Sequence, residues 1–167
     1  MPQAYLALGS NLGDRAENLQ SAISFLRLKA NVITCSAVYE TPPWGYEEQP
    51  KFLNQVIEVE TDLTPGDLLD YVKEVEREIG RKETFRYGPR SIDIDILFYD
   101  DLVVNTPPLN IPHAQIAERA FVLVPFADIA PDYVHPVLGR SIENLLSSVD
   151  RGSIKFFSPA GCDRRAH

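Results

Sequence analysis

Residues 81–95 read Arg-Lys-Glu-Thr-Phe-Arg-Tyr-Gly-Pro-Arg-Ser-Ile-Asp-Ile-Asp. Four of the chain's 16 basic side chains, Arg81, Lys82, Arg86 and Arg90, fall in this segment, although the chain's net charge is −8. A charge run by itself is ordinarily a solvated loop. A local reversal of sign is also what holding an anion requires, and the planar donor fork of arginine suits phosphate oxygens. In the adjoining Ile92-Asp93-Ile94-Asp95-Ile96, strand alternation sends both carboxylates to one face and the three isoleucines to the other. Two residues along a strand separate the aspartate Cα atoms by about 6.6–7 Å, close enough to share a pair of metal ions. Like charges side by side are costly unless a cation offsets them. Hard oxygen ligands favour magnesium, which is usually shared with substrate phosphates. Two incidental solvent-facing acids are the alternative, but beside the arginine cluster the pair reads as a nucleotide–metal site.

Other chemistry-bearing patterns are weaker. Gly9-Ser10-Asn11-Leu12-Gly13 could turn backbone donors toward an anion, although a structural turn is the simpler reading. There is no G-x-x-x-x-G-K-[ST] loop, protein-kinase signature or G-x-S-x-G elbow. Thr41-Pro42-Pro43-Trp44 and Phe52-Leu53-Asn54 flank a Pro/Gly-rich loop. A flat heterocycle needs an apolar slot and a few amide-like groups to read its edge. Phe52 and Phe121 could sandwich such a ring while Asn54 donates and accepts, though each phenylalanine alone reads first as core. Glu76 on a helix reads as a solvated acid, and His113 after Pro112 as a structural or exposed histidine.

The elements that must carry these residues follow from periodicity. The apolar run 4–8 predicts a buried strand. Leu19, Ala22, Ile23 and Leu26 form one helical face behind an Asp14/Glu17 cap. Residues 32–39 predict a second strand, 40–51 a long loop and 53–61 a third strand. Thr64-Pro65 opens a helix with Leu68, Val72, Val75 and Ile79 on one face, and Gly80 closes it. Residues 91–99 predict a fourth strand, alternating as far as Ile96. Asp100-Asp101 is a turn and 102–104 a short return strand. Prolines at 107, 108, 112, 125, 131 and 136 then break the chain into short helices and loops, and residues from about 160 to 167 predict a frayed tail. The order β-α-β-β-α-β plus a hairpin is that of a ferredoxin-like α+β sandwich, with helices on one face of an antiparallel sheet and the other face free to line a site.

Composition narrows the classes. At 167 residues, one domain is expected, with no room for a fused second enzyme. Hydrophobic residues at 44% and charged residues at 24% are ordinary for a globular chain. The acidic balance argues against nucleic-acid partners. Cys35 and Cys162 have no metal or framework spacing, which suits a reducing cytosol; Cys35 reads as a small core residue and Cys162 has no assignable role. No signal peptide or membrane span is apparent, so a cytoplasmic protein is expected.

Residues 86–97, Arg-Tyr-Gly-Pro-Arg-Ser-Ile-Asp-Ile-Asp-Ile-Leu, resemble the signature of the 6-hydroxymethyl-7,8-dihydropterin pyrophosphokinase family. The resemblance extends through Gly9-Ser10-Asn11-Leu12, Tyr39-Glu40-Thr41-Pro42-Pro43, Phe52-Leu53-Asn54, Pro112-His113 and Arg119-Ala120-Phe121. It implies transfer of the pyrophosphoryl group of ATP to the pterin's hydroxymethyl group, release of AMP, a ferredoxin-like fold and two Mg²⁺ ions held by Asp93 and Asp95. It further implies pterin stacking between Phe52 and Phe121 and edge recognition by Asn54, Thr41, Pro42 and Trp44. Glu76, His113 and Arg119 would lie at the nucleotide, Ile96, Leu109 and Asn110 would line the adenine, and Arg81 and Arg90 would close over the triphosphate and assist catalysis. Tyr87, Glu83 and Ala114 depart from the family pattern, where tryptophan, arginine and tyrosine are common. Two readings from other classes compete: a regulatory module that binds a small anion without turnover, and a metal-dependent phosphohydrolase that needs no pterin. A monomer is favoured, with the two small-molecule substrates as its partners.

Overall fold

Strand β1 (Gln3–Ser10) is the apolar run extended by one or two residues at each end. The computed structural model describes residues 1–42, 48–80, 91–160 and 162. Helix α1 (Arg15–Leu26) starts where Asp14 accepts from the Glu17 N–H at 3.1 Å, and it buries Leu19, Ala22, Ile23 and Leu26 as their spacing predicts. The single strand expected over 32–39 is instead two, β2 (Asn31–Cys35) and β3 (Val38–Thr41). Ser36 causes the break. Its N–H donates to the Val56 carbonyl, while its hydroxyl accepts from the Val56 N–H and donates to the Ala37 carbonyl. A side chain that competes for ladder hydrogen bonds interrupts the strand carrying it.

Strand β4 (Phe52–Glu60) pairs with β1 on one side and with both β2 and β3 on the other. Helix α2 (Pro65–Ile79) has the predicted Thr64 cap, which accepts from the Asp67 N–H, and it ends at Gly80. Strand β5 (Asp93–Tyr99) pairs antiparallel with β1, and its register slips opposite Tyr5 and Leu6. Leu97 is the extra residue of this bulge, so Leu97 and Phe98 both join the cluster on the second face of the sheet, while Ile94, Ile96 and Tyr99 stay on the first.

The return strand expected at 102–104 lies later. Strands β6 (Val104–Thr106) and β7 (Leu109–Ile111) form a separate two-stranded sheet. Helix α3 (Ala120–Ile129) runs through Pro125, where a break was expected. A largely buried helix with an apolar flank keeps a proline when packing outweighs one lost backbone bond. Helix α4 (Ile142–Leu146) and strand β8 (Lys155–Ser158), which no pattern announced, complete the fold. β8 adds to β3, giving the order β5-β1-β4-β3-β8 with β2 also beside β4.

The β-α-β-β-α-β core is the expected α+β sandwich. Helices α1 and α2 cover the first face through Leu6, Leu8, Ile57, Val72 and Ile94. The second face is not left open along its length: α3 and α4 pack over Tyr5, Val56, Leu97 and Phe98. Only the end beyond that cover remains available. Cys35 is buried in the first core, as expected, and is also disulfide-bonded to Cys162 with Cα atoms 6.0 Å apart, which gives Cys162 a role that the sequence did not assign. Of the tail, Gly161 and residues 163–167 lie outside the described residues.

Candidate active site

The open end of the second face is assembled by strand register. Asn54 on β4, Gly9 on β1 and Asp93 on β5 are direct neighbours across three strands, and the next row on that face is Val56, Ala7 and Asp95. With strands about 4.8 Å apart, Asn54 and Asp93 stand roughly 10 Å from each other. The residues between them, Gly9 and Ala7, are the smallest available, so the rows form a shallow trough. A Cβ on Gly9 would come within 2.9 Å of Asn54 Oδ1 and 3.4 Å of Phe52 Cδ1. Glycine is therefore required by close approach.

Asp93 and Asp95 share this face, as the alternation predicts, while Ile94 and Ile96 are buried in the first core. Glu76 is not the solvated acid expected from its helix position; it is 9% exposed. Its Oε2 accepts from the Ile94 N–H at 2.7 Å and its Oε1 lies 3.2 Å from Lys73 Nζ. The cause is topological. β5 is an edge strand against which α2 packs, and an inward-held backbone donor there needs an acceptor. Burial raises the Glu76 pKa, the Ile94 N–H and Lys73 pull it back, and Asp93 adds to the rise. Burial likewise raises Asp95, opposed by Arg119 and reinforced by Glu76.

These carboxylates form a concentrated negative site that a cation would relieve. Among the described residues no group of three or more His, Cys, Asp or Glu forms a cage for an ion. Two strand carboxylates open to solvent nevertheless fit magnesium, which binds through one or two carboxylates and takes its remaining ligands from water and phosphate. The donor set is all oxygen, with no thiolate among it.

Arg119 joins the two parts of the site. Its guanidinium lies 4.0 Å from Asp95 Oδ2 and 5.5 Å from the centre of the Phe121 ring, and Gln115 Oε1 accepts from its Nη2. Gln115 was not singled out from the sequence; its place one helical turn before Arg119 was the available signal. His113 is pushed down to about 4 by burial and by Arg119, so it is neutral near pH 7. Its Nδ1 accepts from the Gln115 N–H at 3.2 Å, which leaves Nε2 as the protonated donor. His113 can therefore offer a hydrogen bond, rather than a positive charge, to an anion.

On the other flank, Asn54 Nδ2 donates to Thr41 Oγ1 at 2.5 Å, and both residues are buried. This fixes the amide with Oδ1 over Gly9. Phe52 begins β4 on the Asn54 face, and Phe121 is the second residue of α3; both are partly exposed, as ring-stacking surfaces must be. Pro42 is exposed at the end of β3. Asn11 donates to Gln49 Oε1 and the Pro50 carbonyl, and Arg15 donates to Glu40 and the Lys51 carbonyl. The Gly9–Gly13 segment is thus a structural tie for the end of the 40–51 loop. Ile96 and Leu109 meet in the first core, with Leu109 partly exposed and Asn110 exposed beside it. Trp44, Arg81 and Arg90 lie outside the described residues, as do Glu83 and Tyr87.

Residues 5–131 match the 7,8-dihydro-6-hydroxymethylpterin-pyrophosphokinase (HPPK) family. The chain is 43% identical to the 2-amino-4-hydroxy-6-hydroxymethyldihydropteridine pyrophosphokinase of Aquifex aeolicus over 86% of this chain and 89% of that one. It is also 43% identical to the enzyme of the same name from Methylorubrum extorquens, over 93% and 98% of the two chains. With the folic acid synthesis protein FOL1 of Dictyostelium discoideum the identity is 48% over 89% of this chain, which spans only 22% of that protein. A crystal structure of Plasmodium falciparum HPPK-DHPS superposes with a TM-score of 0.70 at 20% identity, over 87% of this chain and 44% of that one, and supports the fold. The chain belongs to the HPPK family, whose named reaction is pyrophosphoryl transfer to hydroxymethyldihydropterin in folate biosynthesis.

Proposed function

We propose that this chain transfers the pyrophosphoryl group from ATP to the hydroxymethyl oxygen of 6-hydroxymethyl-7,8-dihydropterin, with AMP as the second product and Mg²⁺ required. The observation that carries this reading is the cross-strand row Asn54–Gly9–Asp93, which sets a heterocycle-reading amide and a phosphate-side carboxylate on one trough. The pterin would lie over Gly9 against Phe52 and Phe121, its edge read by Asn54 and Thr41. Its hydroxymethyl group would then point along the trough toward Asp93 and Asp95.

Asp93 and Asp95 would hold two magnesium ions, which supply charge neutralisation of the triphosphate and a lowered pKa for the attacking hydroxyl. Arg119 would bind phosphate oxygens while keeping its contact with Asp95, and the neutral His113 would donate a hydrogen bond from Nε2. Arg81 and Arg90 would add charge from the adjoining loop. Ile96, Leu109 and Asn110, with Glu76 beneath, would border the adenine. Loops 40–51 and 81–90 would exclude water, the competing nucleophile. Phosphoryl transfer asks mainly for such positioning and charge stabilisation, and no dedicated general base is needed. We place the reaction in a single domain, in the cytoplasm, and in a monomer.

The test is incubation with ATP, Mg²⁺ and the hydroxymethyldihydropterin, followed by chromatography of the nucleotides. AMP formed only when pterin is present supports the proposal. ADP and phosphate without pterin would instead indicate a phosphohydrolase, and nucleotide binding without turnover a regulatory module.

A further inference from the structure

A second concave site lies at the opposite end of the sheet. It is an open pocket of about 450 Å³ whose walls include Gln3, Tyr5, Asp100, Asp101, Tyr133 and Val134. Asp100 is five residues along β5 from Asp95, roughly 16 Å at the rise of a strand. The pocket is therefore separate from the catalytic trough.

Its walls are aromatic and its rim is acidic. The Tyr5 and Tyr133 rings meet edge to face with centres 5.1 Å apart, and Phe98 backs Tyr133 at 4.8 Å. Among the described residues no lysine or arginine lines the pocket, while Asp100 and Asp101 do. Asp100 Oδ1 accepts from the Gln3 N–H, and the Asp100 carbonyl accepts from the Tyr133 hydroxyl at 2.8 Å. The Tyr5 side chain is different: the residue is only 9% exposed and lines the pocket, and its solvent-reached hydroxyl makes no hydrogen bond to another described residue, so it is free to bond a ligand there.

The rim is also held in place. His135, buried behind it, accepts from the N–H groups of Val137 and Leu138 through Nδ1 and packs edge-on against Phe98. The His135 N–H donates to the Arg140 carbonyl, and the Tyr133 carbonyl accepts from the Ile142 N–H. A loop tied at so many points presents a preformed surface rather than one that must order on binding.

We propose that this pocket binds a small organic cation, with a guanidinium head fitting it best. Aromatic faces attract such cations, the aspartates supply opposite charge, and the N–H fork of a guanidinium can reach both Asp101 and the Tyr5 hydroxyl. Burial pushes both phenols up to about 12, with Glu58 adding at Tyr5 and the neighbouring Tyr5, Asp101 and Asp100 at Tyr133, so both rings are neutral near pH 7. A hard divalent ion fits poorly, because one carboxylate already serves the Gln3 N–H and neutral phenols are weak ligands.

The probes are methylguanidinium and tetramethylammonium chloride, titrated against the full chain at constant ionic strength with backbone amide shifts as readout. Methylguanidinium is expected to shift the Asp101, Tyr133 and Val134 amides saturably, and to bind more tightly than tetramethylammonium, which has no N–H to donate. Asp101→Asn and Tyr133→Leu should each weaken it about three- to thirty-fold, the range between exposed and desolvated cation–π contacts. Tyr5→Phe keeps the buried ring and should remove the preference for methylguanidinium, which secures the test if Tyr133→Leu fails to fold. Asp95→Asn should leave the affinity unchanged. Non-saturable shifts, shifts equalled by sodium, affinity indifferent to Asp101→Asn, or loss of binding in Asp95→Asn would each overturn the proposal.

Discussion

Replacing Glu76 by alanine separates a clamp on the metal-carrying strand from an incidental acid. In the native chain the carboxylate accepts from the Ile94 N–H at 2.7 Å, and Ile94 is 1% exposed. Glu76→Ala leaves that donor buried without an acceptor, a loss of about 1–3 kcal/mol. Lys73 also loses its partner, but half its side chain is in solvent, so this adds little. For a chain of this size, about 2–4 °C per kcal/mol gives a melting-temperature drop of roughly 2–12 °C. Glu76→Gln keeps an amide oxygen for Ile94 while removing the charge, and it also relieves the repulsion that raises the Asp95 pKa. Its loss should stay near 1 kcal/mol or less. The assays are thermal unfolding, with hydrogen exchange at the Ile94 amide. Exchange should accelerate clearly in Glu76→Ala and only slightly in Glu76→Gln. An alanine variant as stable as the parent, or a glutamine variant that loses more than alanine, would refute the clamp.

Other outcomes follow from the same site. Gly9→Ala places a methyl group 2.9 Å from Asn54 Oδ1, and because Thr41 holds that amide, the pterin KM should rise about tenfold or more with little change in ATP affinity, as steady-state kinetics would show. Phe121→Ala should weaken pterin binding by about 1–3 kcal/mol, the usual range for lost ring stacking; calorimetry that instead showed global destabilisation with intact affinity would make Phe121 a core residue. Asp95→Asn should abolish turnover while the fold persists by circular dichroism. His113 titrates near 4 in the folded protein against 6.5 unfolded, so its contribution is complete above pH 6.5 and declines as the pH falls toward about 4. The decline is at most about 3 kcal/mol, and denaturant titrations of His113→Gln should show a flatter pH profile over that interval. Reducing the Cys35–Cys162 bond, 127 residues apart in sequence, should lower the melting temperature, with a chain-entropy ceiling of about 5 kcal/mol that Cys162→Ser reproduces without reductant.

The parts of the fold written in local periodicity were legible. The Asp14 and Thr64 caps, the buried stripe of α1 and the common face of Asp93 and Asp95 depend on neighbours within four residues, and the structure has them as read. The features that escaped depend on contacts distant in sequence. Ser36 splits a strand because it finds Val56, 20 residues away, and Glu76 is buried because α2 docks on the edge of β5, 18 residues on. Pro125 survives in a helix because α3 is packed over the sheet's second face, which no local pattern states. Asn54 and Thr41 were legible as amide and hydroxyl, but their mutual hydrogen bond, and the space Gly9 leaves for it, required the register of three strands.

The bulge in β5 makes that strand a frame-shifted message. Upstream of Leu97, odd-numbered residues face the trough; downstream, even-numbered ones do, beginning with Phe98. The bulge lets one strand serve two readers, a carboxylate site at one end and an aromatic core at the other, although Asp95 and Phe98 stand an odd number of residues apart. Straightening the strand with Leu97 retained would turn the aspartates into the helix-covered core or take Phe98 from its aromatic neighbours. Deleting Leu97, by contrast, sets Asp95 and Phe98 two positions apart and leaves every other side chain of the strand on its present face. Deletion of Leu97 should therefore be tolerated far better than deletion elsewhere in β5, and a deletion scan of that strand would map the bulge without any structure at all.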